Sequence, residues 1–371
     1  MTSPRETING EPGALGIDRA VGELMRGRAV QIVDEPRSVI FSAVETLRLP
    51  LLRRLQAASG ELRLLITPER ARASGLAADA VGAMAIGFAN PPGIEEIRLL
   101  AGVSHGHPID AAGLRVDDWS GHPQLSAAAF RLAKAGRLLP ALLGFKADAA
   151  TDSTVVRVHV QDIERYTESG QHRLKRVSES RVPLADAIDS KITLFRDEHG
   201  QSEHLAVVIG KLDQSAIVPV RLHSACLTGD LLGSLRCDCG EQLRTAVRRI
   251  AALGGGVLLY LDQEGRGIGL ANKLRAYSIQ DTGLDTVDAD RQLGFHDDER
   301  NYDVAAALLQ ELGVSRIRLL TNNPNKIRAL EDHGIEVAGR LPLVAAVNSH
   351  NARYLKAKRE RAGHLAEEQS L

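Results

Sequence analysis

Through the second half of this chain, short strand-type apolar runs alternate with helical patterns, and that alternation restricts it to a sheet carrying helices on its faces. HLAVVIGKL and AIVPVRLHS read as strands, and GVLLYL (256–261) and RIRLL (316–320) as buried ones. EQLRTAVRRIAAL places Leu243, Val247 and Ile250 on one helical face and stops at Gly254, Gly255 and Gly256, while YDVAAALLQELG predicts a helix ended by Gly313. The loop DQEGRGIG opens a helix through Asn272 to Gln280, and TNNPNK puts Pro324 in the first turn of another. A charged helix, NARYLKAKRERAGH, is expected near the end.

The first half is also mixed. GIDRAVGELMRG predicts an amphipathic helix, RAVQIVDE a strand, and ELRLLITPERARASGL a strand followed by a helix starting at Pro68. Residues 1–15 are mostly polar and read as a disordered leader. Between Ala147 and Asp189 the chain turns polar and charge-rich with little periodicity in DIERYTESGQHRLKRVSESR, which predicts a domain junction. The expected organisation is α/β: a smaller α+β domain over 16–165, then an α/β/α layered domain over 166–371. With 371 residues, 44% of them hydrophobic, the chain can bury two cores. Its 46 Lys plus Arg against 47 Asp plus Glu give no global field for nucleic acid or a membrane surface. No apolar run approaches the roughly 18–20 residues of a membrane span, and MTSPRETINGEPG lacks a signal-peptide layout. A soluble cytoplasmic enzyme is the expectation.

The chain has three cysteines, Cys226, Cys237 and Cys239, within fourteen residues. An odd number cannot close a disulfide framework. Thiolates select soft or borderline metals, zinc above all. Structural zinc sites take four protein ligands, whereas catalytic ones hold three and leave a position to water, whose pKa falls from 15.7 to about 7. Three is therefore the informative number. Two other readings stand beside this one: cysteines packed as small apolar side chains, and a structural site completed by His223.

Four loops at predicted strand ends could cradle phosphates: Arg221 to Ser224, Glu264 to Gly269, Asp298 to Arg300, and Thr321 to Lys326. Each alone is as readily a solvated loop or a helix cap. At the strand ends of one α/β sheet they occupy the place where such sheets bind ligands, with a helix N-terminus favouring an anion.

RLHSACLTGDLLGSLRCDCGEQL, DQEGRGIGLANKLRAYSIQDTGLDTVDADRQLGF, DDERNYDVAAALLQELG and RLLTNNPNKIRAL resemble the successive signature segments of GTP cyclohydrolase II, from about Pro219 to His364. The resemblance implies a zinc enzyme, one ion per subunit, that opens the imidazole ring of GTP and releases formate and pyrophosphate. The product is a diamino-ribosylamino-pyrimidinone phosphate, the first step of riboflavin biosynthesis. The resemblance also implies magnesium with the triphosphate and a homodimer. It puts zinc on Cys226, Cys237 and Cys239. GTP contacts fall on Arg221, His223, Ser224, Gln242, Glu264, Gly265, Arg266, Thr286, Thr321 and Lys326, and catalytic roles on Tyr277, Asp298 and Arg300. A guanidinium with a pKa above about 12 is a poor nucleophile, so Arg300 is read as a charge stabiliser during pyrophosphate loss. Two positions depart from the pattern: Ala225 stands where the family has an acid, and Asp262 where it has an arginine. They leave open a divergent guanine-nucleotide hydrolase that retains the formyl group; a separate alternative is a zinc-stapled nucleotide-binding regulator without turnover, against which the presence of Tyr277, Asp298 and Arg300 argues.

GRAVQIVDE followed by LRLLITPERARASGL faintly resembles the opening of 3,4-dihydroxy-2-butanone-4-phosphate synthase. That family continues into an acidic cluster that binds magnesium, whereas here Asp34 and Glu35 are followed by Pro36, Arg37, Ser38, Val39 and Ile40. Lacking those ligands, the first domain is expected to be non-catalytic, with a structural or dimer-forming role. His105, His107 and Asp110 read as a solvated loop rather than a metal site.

Overall fold

A computed structural model of the chain describes residues 12–57, 61–104, 109–111, 113–118, 123–146, 154–169, 174–200 and 202–343. The first eleven positions of the expected leader, His105 and His107, and the expected closing helix lie outside the described residues. The described residues fall into two compact units. The first draws on Met1–Glu168, Ala271–Leu284 and Asp288–Asp298, and the second on Ser169–Leu270, Asp285–Val287 and Glu299–Leu371. The division is thus discontinuous in sequence. No helix among the described residues is long and apolar enough to cross a membrane.

The first unit is built on seven strands, β1 (Val30–Asp34), β2 (Arg37–Ala43), β3 (Arg63–Ile66), β4 (Met84–Phe88), β5 (Leu114–Asp118), β6 (Ala141–Lys146) and β7 (Val156–His159), in the order β5-β4-β3-β6-β2-β1-β7. Every neighbouring pair is antiparallel except β1 with β7. Strand alternation buries both faces. Val39, Phe41, Ala43 and Leu65 join one core cluster with helices Pro12–Met25 and Pro123–Ala135, which contribute Ile17, Val21, Leu24, Leu125, Ala128 and Leu132. Leu64, Ile66, Ile86 and Leu143 face the other, with Leu52, Ile97 and Leu100. The first helix begins at Pro12, inside the stretch read as a leader, because proline's fixed φ suits a first helical turn.

The second unit also has seven strands, β8 (Leu174–Arg181), β9 (Ser190–Asp197), β10 (Glu203–Ile209), β11 (Val218–Ser224), β12 (Gly256–Leu261), β13 (Arg316–Leu320) and β14 (Glu336–Leu341), in the order β14-β13-β11-β12-β10-β9-β8. β11 to β14 run parallel, and β10, β9 and β8 add antiparallel. Val257, Leu259 and Leu261 pack with Val304, Leu308 and Ile327 of helices Asp303–Glu311 and Pro324–Glu331. Leu258 packs on the opposite face with Ala246 and Ile250 of helix Cys239–Ala252. This is the layered arrangement the alternation predicts. Asn323 caps the helix that Pro324 opens, its side chain accepting from the Asn325 amide.

The stretch expected to show little periodicity is structured. Helix Val160–Ser169 buries Val160, Ile163 and Tyr166 at a spacing of three, and β8 forms a sheet edge. β8 is exposed at every position but its first, so no apolar face exists for a sequence pattern to register.

Candidate active site

The parallel strands deliver three of the four predicted loops to one edge of the second sheet. β11 runs into Ser224 to Cys226, β12 into Asp262 to Arg266, and β13 into Thr321 to Lys326. The sulfurs of Cys226, Cys237 and Cys239 all lie within 4.8 Å of one another, and this trio is the one group among the described residues able to hold a metal ion. Cys226 Sγ and Cys237 Sγ stand 3.6 Å apart, far beyond the roughly 2.05 Å of a disulfide. A hydrogen bond with the Cys226 sulfur, together with burial, pushes the Cys237 thiol up to about 11. Packing as small apolar residues does not account for three sulfurs converging on one point.

Gly229 makes that convergence possible. A Cβ there would stand 2.7 Å from Cys237 Sγ and 3.0 Å from Cys226 Sγ. Gly229→Ala is expected to weaken metal binding about 10- to 100-fold by displacing the sulfurs, as loss of a supporting contact does. Zinc competition with a chromophoric chelator measures this, and wild-type affinity would contradict it.

Asp230 is a hub that the sequence did not single out. Its carboxylate accepts from the Cys226 amide at 2.9 Å, from Tyr260 Oη at 3.0 Å and from His223 Nε2 at 3.0 Å. The His223 ring stacks on Tyr260 with centroids 5.5 Å apart, and its Nδ1 is buried without a hydrogen-bond partner. Desolvation holds the His223 pKa below its usual value, so the ring is neutral and, donating through Nε2, leaves Nδ1 as an acceptor. His223 does not join the cysteine group as a fourth ligand.

Glu264 ties two of the loops together, since its carboxylate accepts from the amides of Leu227 at 2.6 Å and Gly265 at 2.8 Å. The segment then turns left-handed through Gly265 (φ 63°) and Arg266 (φ 60°). For an arginine that conformation is strained, a cost that clusters at ligand-binding turns. Arg221 is buried. Its guanidinium donates to Leu320 O at 2.8 Å and Gln242 Oε1 at 2.6 Å, and Gln242 in turn donates to Asp238 at 2.5 Å. Desolvation pushes the Arg221 pKa down to about 10, so it stays cationic at neutral pH. Lys326 is also buried, its Nζ donating to Leu222 O at 2.8 Å. Lys326 and Arg300 both lie over the Tyr302 ring, 5.3 and 5.5 Å from its centroid. Ser224 donates to Gln263, and Thr321 Oγ1 accepts from the Asn323 amide.

The remaining predicted residues are placed differently. Thr286 opens a short helix, Thr286–Gln292, and is grouped with the second unit. Tyr277, half-buried with Lys273 Nζ 5.8 Å from its ring, and exposed Asp298 belong to the first unit. Of the two departures, Ala225 donates its amide to Leu261 O and Asp262 donates its amide to His204 Nδ1.

Comparison with known proteins adds to this geometry. The family model described as GTP cyclohydrolase II matches residues 175–342. GTP cyclohydrolase-2 of Azospirillum brasilense is 42% identical over 369 residues, covering 96% of this chain and 95% of the relative. GTP cyclohydrolase-2 of Xylella fastidiosa (strain 9a5c) is 37% identical, covering 96% and 88%. That of Azotobacter vinelandii is 56% identical over 171 residues, 46% of this chain but 82% of the relative. A solved structure, a two-domain 3,4-dihydroxy-2-butanone 4-phosphate synthase from A. baumannii, aligns over 89% of this chain and 99% of its own at a TM-score of 0.32 and 14% identity, too remote to bear on the fold.

Proposed function

Because the chain belongs to the GTP cyclohydrolase II family, we propose that it hydrolyses GTP, opening the imidazole ring with release of formate and pyrophosphate to give 2,5-diamino-6-ribosylamino-4(3H)-pyrimidinone 5′-phosphate. The observation that carries this reading is the convergence of three thiols beside cationic loops at the carboxyl edge of one parallel sheet.

Cys226, Cys237 and Cys239 fit zinc. A tetrahedral ion with Zn–S bonds of about 2.3 Å spaces its sulfurs about 3.8 Å apart, close to the 3.6 Å between Cys226 and Cys237. When bound, zinc supplies Lewis-acid activation of the water added at C8 of the guanine. The chain does the rest. Arg221, Arg266 and Lys326 supply positive charge for the triphosphate, which magnesium accompanies, and Glu264 holds the 264–267 turn in place. His223 Nδ1 offers an acceptor to a substrate N–H. Asp298 takes and returns protons as water adds and formate leaves, Tyr277 donates to the nitrogen freed on ring opening, and Arg300 stabilises charge as pyrophosphate departs. The working protein is a homodimer in the cytoplasm.

The first unit is proposed to lack synthase activity. Asp34 and Arg37 face each other at the end of the β1–β2 hairpin, and Glu35 pairs with Arg157 at 3.2 Å, so these residues serve a tight turn. Growth of a synthase-deficient strain on this chain would overturn that.

Metal-loaded protein incubated with GTP and magnesium, with products identified by mass spectrometry, tests the main reading. Formate and pyrophosphate together are expected. A retained formyl group would instead favour the divergent hydrolase that Ala225 and Asp262 raise, and unchanged GTP would point to a regulator.

A further inference from the structure

Two segments of the catalytic half, Ala271–Leu284 and Asp288–Asp298, pack within the first unit, and they carry Tyr277 and Asp298. Their attachments are polar and specific. Asn272 donates to Arg137 O at 3.1 Å, and Arg275 bridges Asn272 at 2.6 Å and Glu45 at 3.0 Å. The other oxygen of Glu45 accepts from the Leu139 amide at 2.9 Å.

The second segment is held by one buried side chain. Arg70, 6% exposed, anchors itself on Leu100 O at 3.0 Å and Leu99 O at 2.9 Å. Its remaining donor reaches both Gln292 O at 2.8 Å and Gln292 Oε1 at 2.7 Å, and Gln292 Nε2 donates to Ala73 O at 2.7 Å. Two residues on, Thr67 Oγ1 donates to Gly294 O at 2.9 Å. Gly294 has φ +86°, and a Cβ there would stand 2.8 Å from Thr67 Oγ1, so glycine lets this backbone close on the Thr67 hydroxyl. Desolvating a guanidinium is costly, and burial pushes the Arg70 pKa down to about 10, yet the charge persists at neutral pH and is satisfied by four oxygens.

A cavity of about 880 Å³ opens beside this contact, lined by Glu69 and Arg72 of the N-terminal half together with Asp288, Arg291, His296 and Asp298. Glu69 and His296 face each other at 3.3 Å.

We propose that Arg70 and Thr67 are positioning residues for the reaction: the N-terminal half clamps the backbone at Gln292 and Gly294 and thereby sets where Asp298 stands in its cavity. The proposal rests on the acid–base role given to Asp298 above. It gives the first domain a definite task.

The test uses full-length Arg70→Met, Thr67→Val, Asp298→Asn and the two double variants that combine Asp298→Asn with each of the others. A misplacement of about 1 Å costs up to about 10²-fold in rate, so kcat is expected to fall by about that much in Arg70→Met and by about tenfold in Thr67→Val. Zinc content and the KM for GTP should stay within about twofold, since the proposed GTP and metal contacts lie elsewhere. In the double variants kcat should be no lower than in Asp298→Asn alone, because residues acting through one group are not additive. Amide exchange should rise over 292–298 in both single variants and stay unchanged over 226–239. Multiplying rate losses, or unchanged exchange over 292–298, would overturn the clamp. If Arg70→Met fails to fold, the Thr67→Val cycle reads the same coupling. A wild type that leaves GTP intact would refute the function instead, while the exchange data still decide the clamp.

Discussion

Cys237→Ser protein is expected to lose GTP turnover by about 10³-fold or more, the scale that follows when water whose pKa would fall from 15.7 to about 7 is no longer activated. A serine hydroxyl does not ionise near neutral pH and is a poor ligand for a borderline metal. Its oxygen would also be shorter-reaching than the sulfur that stands 3.6 Å from Cys226 Sγ. Elemental analysis of the purified protein and a formate assay provide the measurement. Chelator treatment of the wild type should copy the loss, and added zinc should restore the wild type but not the variant. Full turnover in metal-free protein would remove the basis of the proposed function.

The second large effect is expected at Asp230. Asp230→Ala leaves three donors without their acceptor: the Cys226 amide, Tyr260 Oη and His223 Nε2. The carboxylate side chain is only 7% exposed, so water cannot simply replace it. Each buried donor left without an acceptor costs about 1–3 kcal/mol, so a loss of at least about 3 kcal/mol of stability is expected. Because one of the orphaned donors is the backbone of a metal ligand, zinc affinity should also fall about 10- to 100-fold. Denaturant unfolding and zinc competition read the two effects separately. Asp230→Asn keeps the shape but turns an amide NH₂ toward donors, and should recover only part of the stability. Wild-type values for both variants would show that the hub is dispensable.

The two residues differ in how visible they were beforehand. Cys237 declares itself by spacing, because a Cys-x-Cys pair close to a third cysteine is a local pattern. The loops after β11, β12 and β13 were legible for a related reason: strand and helix periodicities place their ends, and parallel pairing then brings those ends to one edge. Asp230 had no such signal. Its partners His223 and Tyr260 sit on neighbouring strands, and their pairing in register follows from the sheet rather than from any linear interval. β8 escaped notice because an edge strand exposed along its length carries no alternation. The contacts of Arg70 with Gln292 span 222 positions, and nothing near either residue announces the other. Glu264 lies between the two cases: strand periodicity places its loop, while the engagement of its carboxylate by the Leu227 and Gly265 amides depends on how two loops meet.

The discontinuity of the first unit has a practical side for anyone who would take the protein apart. No single cut separates its two sheets with their own complements of chain, because residues 271–284 and 288–298 return to the unit that Glu168 leaves. A C-terminal fragment begun at Ser169 would carry those segments away from Arg70, Thr67 and Glu45, with buried Ala276, Ile279, Leu293 and Phe295 stripped of their surroundings. Deleting the first half would therefore remove the partners of the very segments that carry Tyr277 and Asp298.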